Sequence, residues 1–165
     1  MSILRRNKHP RPILTNPVHF IAFGGGIGLM PFAPGTFGTA LSVFIFLPLS
    51  LLDISFYVLI TIFLVFLGFF VCDKTAKDLN VKDHPGIVWD EICGFLIAMI
   101  GAPREALWVI VGFLLFRFFD VLKPWPIGWI DRKIEGGLGI MLDDVLAGLF
   151  TFLIIQTTLL VLQSL

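Results

Sequence analysis

Residues Ile54 to Cys72 read ISFYVLITIFLVFLGFFVC, an apolar run without a single Asp, Glu, Lys or Arg. A helix needs about 18 or more such residues to cross the hydrocarbon layer of a bilayer, so this run is long enough to do it. On its N-terminal side only Asp53 separates it from a second uncharged stretch, Pro12 to Leu52. Further along, Ile92 to Pro103, Ala106 to Phe116 and Val145 to Leu165 are also free of charge. The charged residues are left in three islands, Arg5 to Arg11, Asp73 to Glu91 and Arg117 to Asp144, with only Asp53, Arg104 and Glu105 outside them.

Composition agrees. Hydrophobic residues make up 57% of the 165 and charged residues 15%, where a soluble domain carries about 25% charge. Mean hydropathy is +0.94, and that much apolar surface needs lipid as its solvent. Lys plus Arg and Asp plus Glu number 12 each, so no basic field points to a nucleic-acid partner. Cys72 and Cys93 stand alone beside apolar runs, which suggests neither a disulfide framework nor a zinc site. A cleavable signal is not expected, because Gly and Pro break the apolar stretch after the basic start.

The pattern predicts a helix over Gly38 to Leu52 and an antiparallel partner over Ile54 to Val71, turning at Asp53 to Ser55. Next come Glu91 to Ile100 and Ala106 to Phe119, broken by Gly101-Ala102-Pro103, and a last helix from Asp144 to about Leu162. Asn16 to Gly28 reads as a weak helix entering a glycine-rich loop. The fold expected is all-α: a single domain (1–165), a compact membrane-embedded bundle of about six short helices with its charged loops on one face. A basic segment (1–15) precedes it and an apolar helix (149–165) closes it. The positive-inside rule keeps Arg5, Arg6, Lys8 and Arg11 in the cytoplasm. Each hairpin returns the chain to its starting side, so all three islands share the cytoplasmic face. A helix over Gly38 to Leu52 reaches only about 22 Å against a hydrocarbon core of roughly 30 Å, so some elements are re-entrant or partly sunk.

The acids come as adjacent pairs, Asp90-Glu91 and Asp143-Asp144. Each is expected to open an apolar helix, and each is followed by a glycine, Gly94 or Gly148, at helical spacing. Acids at helix starts can simply complement the macrodipole. Two pairs of one design can instead meet, since glycine lets helices approach closely, and offer four carboxylates to one cation. An all-oxygen set of that size suits Mg²⁺ or Mn²⁺ rather than zinc. Arg117, Asp120 and Lys123 follow at i, i+3 spacing, and Pro124-Trp125-Pro126 then stops the helix with an indole near the headgroup level. These cations are either snorkelling side chains or a phosphate clamp. Pro34-Gly35-Thr36 leads into the first firm helix, where a helix start offers amides to an anion, although capping by Thr36 or Thr39 also explains the residues. His84, in Asp83-His84-Pro85-Gly86, is a minor candidate for proton handling.

Taken in order, Pro34-Gly35-Thr36-x-Gly38-Thr39, Val88-Trp89-Asp90-Glu91-x-x-Gly94, Phe116-Arg117-x-x-Asp120-x-x-Lys123-Pro124-Trp125-Pro126-Ile127 and Asp131-Arg132-x-x-x-Gly136-Gly137-x-Gly139-Ile140-x-x-Asp143-Asp144-x-x-Ala147-Gly148 resemble the phosphatidylglycerophosphatase A family. The resemblance covers nearly the whole chain from about Asn16 to Gly148. It implies a central helix surrounded by others and a Mg²⁺-dependent, multi-pass phosphatase of the bacterial inner membrane, its site facing the cytoplasm. The substrate implied is phosphatidylglycerophosphate, cleaved to phosphatidylglycerol and phosphate, with no obligate protein partner. On that reading Asp90, Glu91, Asp143 and Asp144 hold Mg²⁺, directly or through water. Arg117, Lys123, Arg132 and the Gly35-Thr36 turn take the phosphate oxygens, and Asp120 or Asp131 handles the water's proton. Cysteine phosphatase chemistry is unsupported, because the position six after each Cys holds Asp78 or Met99 rather than Arg. A cation transporter or channel and a non-catalytic membrane subunit remain the alternatives.

Overall fold

The computed structural model describes residues 15 to 164; the basic segment with Arg5, Arg6, Lys8 and Arg11 lies outside the described residues. The chain runs through α1 (Pro17–Ala22), a 3-10 segment (Gly24–Leu29), α2 (Pro34–Leu49), α3 (Ile54–Leu79), α4 (Trp89–Ala98), α5 (Ala106–Leu122), α6 (Ile127–Lys133) and α7 (Gly136–Gln163), with no strand among the described residues. Local chemistry sets several of these boundaries. The Asn16 carboxamide accepts the Val18 amide at 3.0 Å and Pro17 opens α1. Asp53 accepts the Ser55 amide at 2.9 Å and so caps α3. Asn80, left-handed at φ 54, ends α3.

The shortest of the apolar helices is the innermost. Eight of the ten residues of α4 are buried, and α2, α3, α5 and α7 enclose it. Phe95 and Leu96 are wholly inaccessible. Phe95 meets Phe46 and Phe116 edge to face, with centroids 6.3 Å apart in both pairs. Two polar anchors tie α3 to α4: Tyr57 donates to the Leu96 carbonyl at 2.7 Å, and the Trp89 indole donates to that of Leu64 at 3.1 Å. Against α7 the approach is backbone to backbone, because a Cβ at Gly148 would run into the Gly94 carbonyl.

The two longest helices, α3 and α7, reach about 39 Å and 42 Å, more than a hydrocarbon core of roughly 30 Å. Both are long and apolar enough to cross a membrane, and only 22% of the most apolar window of each is buried. The core helix of a soluble protein would be mostly buried. Here Phe56, Phe63, Phe66 and Phe70 of α3 point outward, each more than 60% exposed.

The expected elements need several corrections. Among the described residues there are seven α-helices, two of them long, instead of about six short ones. The second charged island is partly helix: α3 continues through it to Leu79, held by the i, i+4 pairs Lys77–Asp73 and Lys74–Asp78, each at 2.6 Å. The first firm helix begins earlier, at Pro34, and ends at Leu49. The segment after Pro126 forms the unforeseen α6. The last helix starts at Gly136 rather than Asp144, because Gly137 belongs to its first turn. Asp73 accepts the Gly137 amide at 3.1 Å, and a Cβ at Gly137 would lie 2.5 Å from the Phe69 carbonyl oxygen of α3. The acids Asp143 and Asp144 therefore sit inside a helix, about two turns from its start, where the macrodipole does not account for them.

Candidate active site

The glycine contact between α4 and α7 brings the acids together. Asp90 and Glu91 occupy the first turn of α4, and Asp144 lies one turn before Gly148 on α7. The Gly94 backbone faces the Asp144 carbonyl so closely that a Cβ would stand 2.6 Å from that oxygen. Asp90, Glu91 and Asp144 consequently each present one carboxylate oxygen within 4.8 Å of the others. Asp90 is 8% exposed and Asp144 3%. Glu91 Oε2, Asp143 Oδ1 and Asp144 Oδ1 are buried with no hydrogen-bond partner among the described residues. Unpaired buried carboxylate oxygens are costly, and the oxygen set of Asp90, Glu91 and Asp144 fits a hard divalent cation. Burial raises the Glu91 carboxyl to about 8, with the Asp144 charge adding to it. Burial also raises Asp90, and the charge of Glu91 is the next cause.

Asp143, the fourth expected carboxylate, has one oxygen engaged by a cation. It binds Lys123 Nζ at 2.5 Å, and the same ammonium binds Asp131 at 2.7 Å. Burial works against the Lys123 charge, but the hydrogen bonds it donates to Asp131 and Asp143 outweigh it and hold the group above its ordinary value. Lys123 is the left-handed residue (φ 44) that ends α5, so the turn that stops the helix also aims the ammonium at α6 and α7. Arg117, two turns earlier on α5, pairs with Asp120 and lies 3.8 Å from Glu91.

The start of α2 closes the remaining side. A Cβ on Gly35 would collide with the Glu91 carboxylate and stand 3.1 Å from Arg117 Nη1. No side chain among the described residues caps this helix, and the amides of Gly35 and Thr36 fall in its first turn, which has no intrahelical acceptor. A buried acidic trio thus lies beside Arg117 and an open helix start, with Lys123 joined to the adjacent Asp143; these are the donor types that bind a phosphate monoester beside a metal.

Two sequence candidates stand apart from this set. Arg132 is exposed on α6 and makes no ion pair among the described residues. His84 is engaged structurally: its Nδ1 accepts the Gly86 amide at 3.0 Å, its ring lies 5.2 Å from that of Phe23, and burial lowers its pKa. Sequence reasoning missed Asp83, whose carboxylate feels both Lys123 and Asp131. The only signal for it was its place beside His84 in the turn that leads to Asp90.

The model of the phosphatidylglycerophosphatase A family matches residues 20–159. The chain belongs to this family. The phosphatidylglycerophosphatase A of Escherichia coli is 41% identical over 155 residues, 92% of this chain and 90% of that protein. That of Haemophilus influenzae is 44% identical over 147 residues, 86% of this chain and 88% of that one. A Bacteroides thetaiotaomicron protein named as a putative phosphatidylinositol-3-phosphatase is 36% identical over 147 residues, 82% and 89% of the two chains. No solved structure matches. The span shared with the phosphatidylglycerophosphatase A family includes the carboxylate trio, both cations and the open start of α2.

Proposed function

We propose that this chain is a membrane phosphatase that hydrolyses the terminal phosphate of phosphatidylglycerophosphate to give phosphatidylglycerol and inorganic phosphate, with Mg²⁺ as its cofactor. The observation that carries the reading is the convergence of Asp90, Glu91 and Asp144 beside Arg117, with Lys123 held by the adjacent Asp143, in a member of this family. Family membership and the two relatives named for this activity support the substrate. The unpartnered oxygens of Glu91 and Asp144 support the metal.

Asp90, Glu91 and Asp144 would hold the ion. Bound there, Mg²⁺ would supply Lewis-acid polarisation of the phosphoryl group and a water of lowered pKa. Arg117, Lys123 and the Gly35 and Thr36 amides bind the phosphate oxygens and offset their charge. Asp143 holds Lys123 in place through Oδ2, and its Oδ1 is left without a hydrogen-bond partner among the described residues. Asp120 and Asp131 are the candidate acceptors for the attacking water's proton, each poised against the cation that binds phosphate.

The membrane reading rests on the outward apolar faces of α3 and α7. It also rests on the separation of charge: Arg104 lines a cleft with Leu52, Ile54 and Met99, at the opposite end of α4 from Asp90 and Glu91. In the bacterial inner membrane the carboxylate end would face the cytoplasm. Phosphate release from phosphatidylglycerophosphate by purified protein, with Mg²⁺ and with EDTA, tests the activity and the metal together. Activity that persists in EDTA removes the metal role. Faster release from phosphatidylinositol 3-phosphate than from phosphatidylglycerophosphate overturns the substrate.

A further inference from the structure

The segment between Lys123 and Gly136 faces two ways. Inward, Ile127 and Gly128 are buried, and Asp131 is tied to Lys123 at the site. Outward, Trp125 is 82% exposed and Trp129 50%. Arg132 and Lys133 are also exposed and make no ion pair among the described residues. Trp129, Arg132 and Lys133 are spaced i, i+3, i+4 and so share one side of α6. The neighbouring acid, Glu135, is taken up by Lys82 at 3.7 Å, so this side of α6 keeps a net positive charge.

The order of residues along the chain matches the layers of a bilayer. Val121 and Leu122, exposed by 66% and 62%, end α5, the two indoles follow, and the two free cations come last. Hydrocarbon, interface and headgroup layers favour apolar, indole and cationic side chains in that sequence. In water such a surface would carry two bare indoles without benefit.

We infer that the outward face of α6 rests in the headgroup layer and gathers anionic phospholipids, the substrate among them, at the mouth of the site: Arg132 and Lys133 attract the lipid charge, and Trp125 and Trp129 set the depth. The inference rests on the membrane-phosphatase reading and deepens it. Arg132 then has a task outside the phosphate clamp, delivery of substrate rather than its conversion. Sequestration by α6 raises the local concentration of anionic lipid without altering what happens to a phosphate once it is bound.

The test uses the full-length protein in phosphatidylcholine vesicles containing a small fraction of phosphatidylglycerophosphate, beside a water-soluble short-chain form of the same substrate. Lys133→Gln should raise KM for the vesicle substrate by about fivefold and leave kcat unchanged, with both constants unchanged for the soluble substrate. An unchanged vesicle KM overturns the inference. So does a loss of kcat on both substrates, which would place Lys133 in the phosphate clamp. A second reading needs no turnover: bromine-labelled lipids with the label near the headgroup should quench the tryptophan emission of the wild type, and Trp125→Phe with Trp129→Phe should remove most of that quenching. Equal quenching in wild type and variant overturns the inference even if the enzyme is active. Quenching with no phosphate release in the wild type supports the surface and sinks the phosphatase reading.

Discussion

Replacing Gly94 by Ala tests the join on which the site depends. The new Cβ would stand 2.6 Å from the Asp144 carbonyl oxygen and 2.6 Å from Phe116 Cε2, where ordinary contact begins at 3.4 Å. The ring can turn, but the carbonyl belongs to the backbone of α7 and moves only with its helix. The two helices must therefore part by about 0.8 Å, and the displaced residue is the one whose carboxylate completes the acidic trio. Overpacking of this kind costs about 1–3 kcal/mol of stability. A misplacement near 1 Å costs roughly 100-fold in rate, or about 2.7 kcal/mol in the barrier. The assay is phosphate release from phosphatidylglycerophosphate at saturating Mg²⁺, with helicity and thermal midpoint in detergent measured alongside. Gly112→Ala is the control. Its Cβ also collides, but with the flexible thioether of Met99, at the end of α4 away from Asp90 and Glu91. Gly94→Ala should lose activity tenfold to 100-fold while Gly112→Ala keeps most of it. Equal losses in both, or full activity in Gly94→Ala, would refute the claim that α4–α7 spacing sets the site.

Four further outcomes follow from the same geometry. Asp90→Asn and Asp144→Asn should each cut phosphate release about 100-fold or more while the protein remains folded in the membrane fraction, and isothermal titration should show weakened Mg²⁺ binding. Lys123→Met leaves the buried Asp143 without its cation and, with Lys123 29% exposed at its side chain, should cost about 2 kcal/mol; adding Asp143→Asn should recover the thermal midpoint but not the activity. In metal-free protein, folding raises Glu91 from 4.5 to about 8. The folded state then binds a proton that the unfolded chain has released, and Asp90, also raised by burial, does the same, so the thermal midpoint should fall as pH rises above 4.5. Saturating Mg²⁺ should flatten this slope, since the ion takes the place of the proton. Gly35→Ala should lower turnover with little change in global stability, because the group it strikes is the end of the Glu91 side chain; a stability loss as large as that of Gly94→Ala would contradict this.

Much of this arrangement was legible in the sequence, for physical reasons. The long uncharged runs gave the apolar parts of α3, α5 and α7, because a run of that length without charge admits few alternatives to an apolar helix. The twin acids and the following glycines pointed to close helix contact, and Gly94 and Gly148 are where the backbones touch. The boundaries were harder. Gly136-Gly137-Leu138-Gly139 reads as a flexible turn by propensity, yet α7 begins there because close packing against α3 and the Asp73 hydrogen bond outweigh the cost of glycine in a helix. The run from Asp73 to Asp78 reads as a loop after a membrane span, but its Lys and Asp residues fall at i, i+4 and prolong the helix. Which carboxylate of each adjacent pair faces which neighbour was beyond reach. Neighbours on a helix point about 100° apart, and their directions depend on where the helix starts. Asp83 was obscured because a single acid in a turn carries no periodic signal.

The placing of Asp143 and Asp144 within one continuous rod has a mechanical consequence. One side chain looks toward Asp90 and Glu91, the other toward Lys123, and no joint lies between them. The rod is pinned near one end by Asp73, and further along Gln156 donates to the Ile100 carbonyl at 2.8 Å. Any roll about its long axis swings both carboxylates at once, so the acidic trio and the Lys123 cluster share a single angular setting. A single residue inserted between Gly139 and Asp143 would turn that setting by about 100° and disengage both together, as a shaft turns two cams.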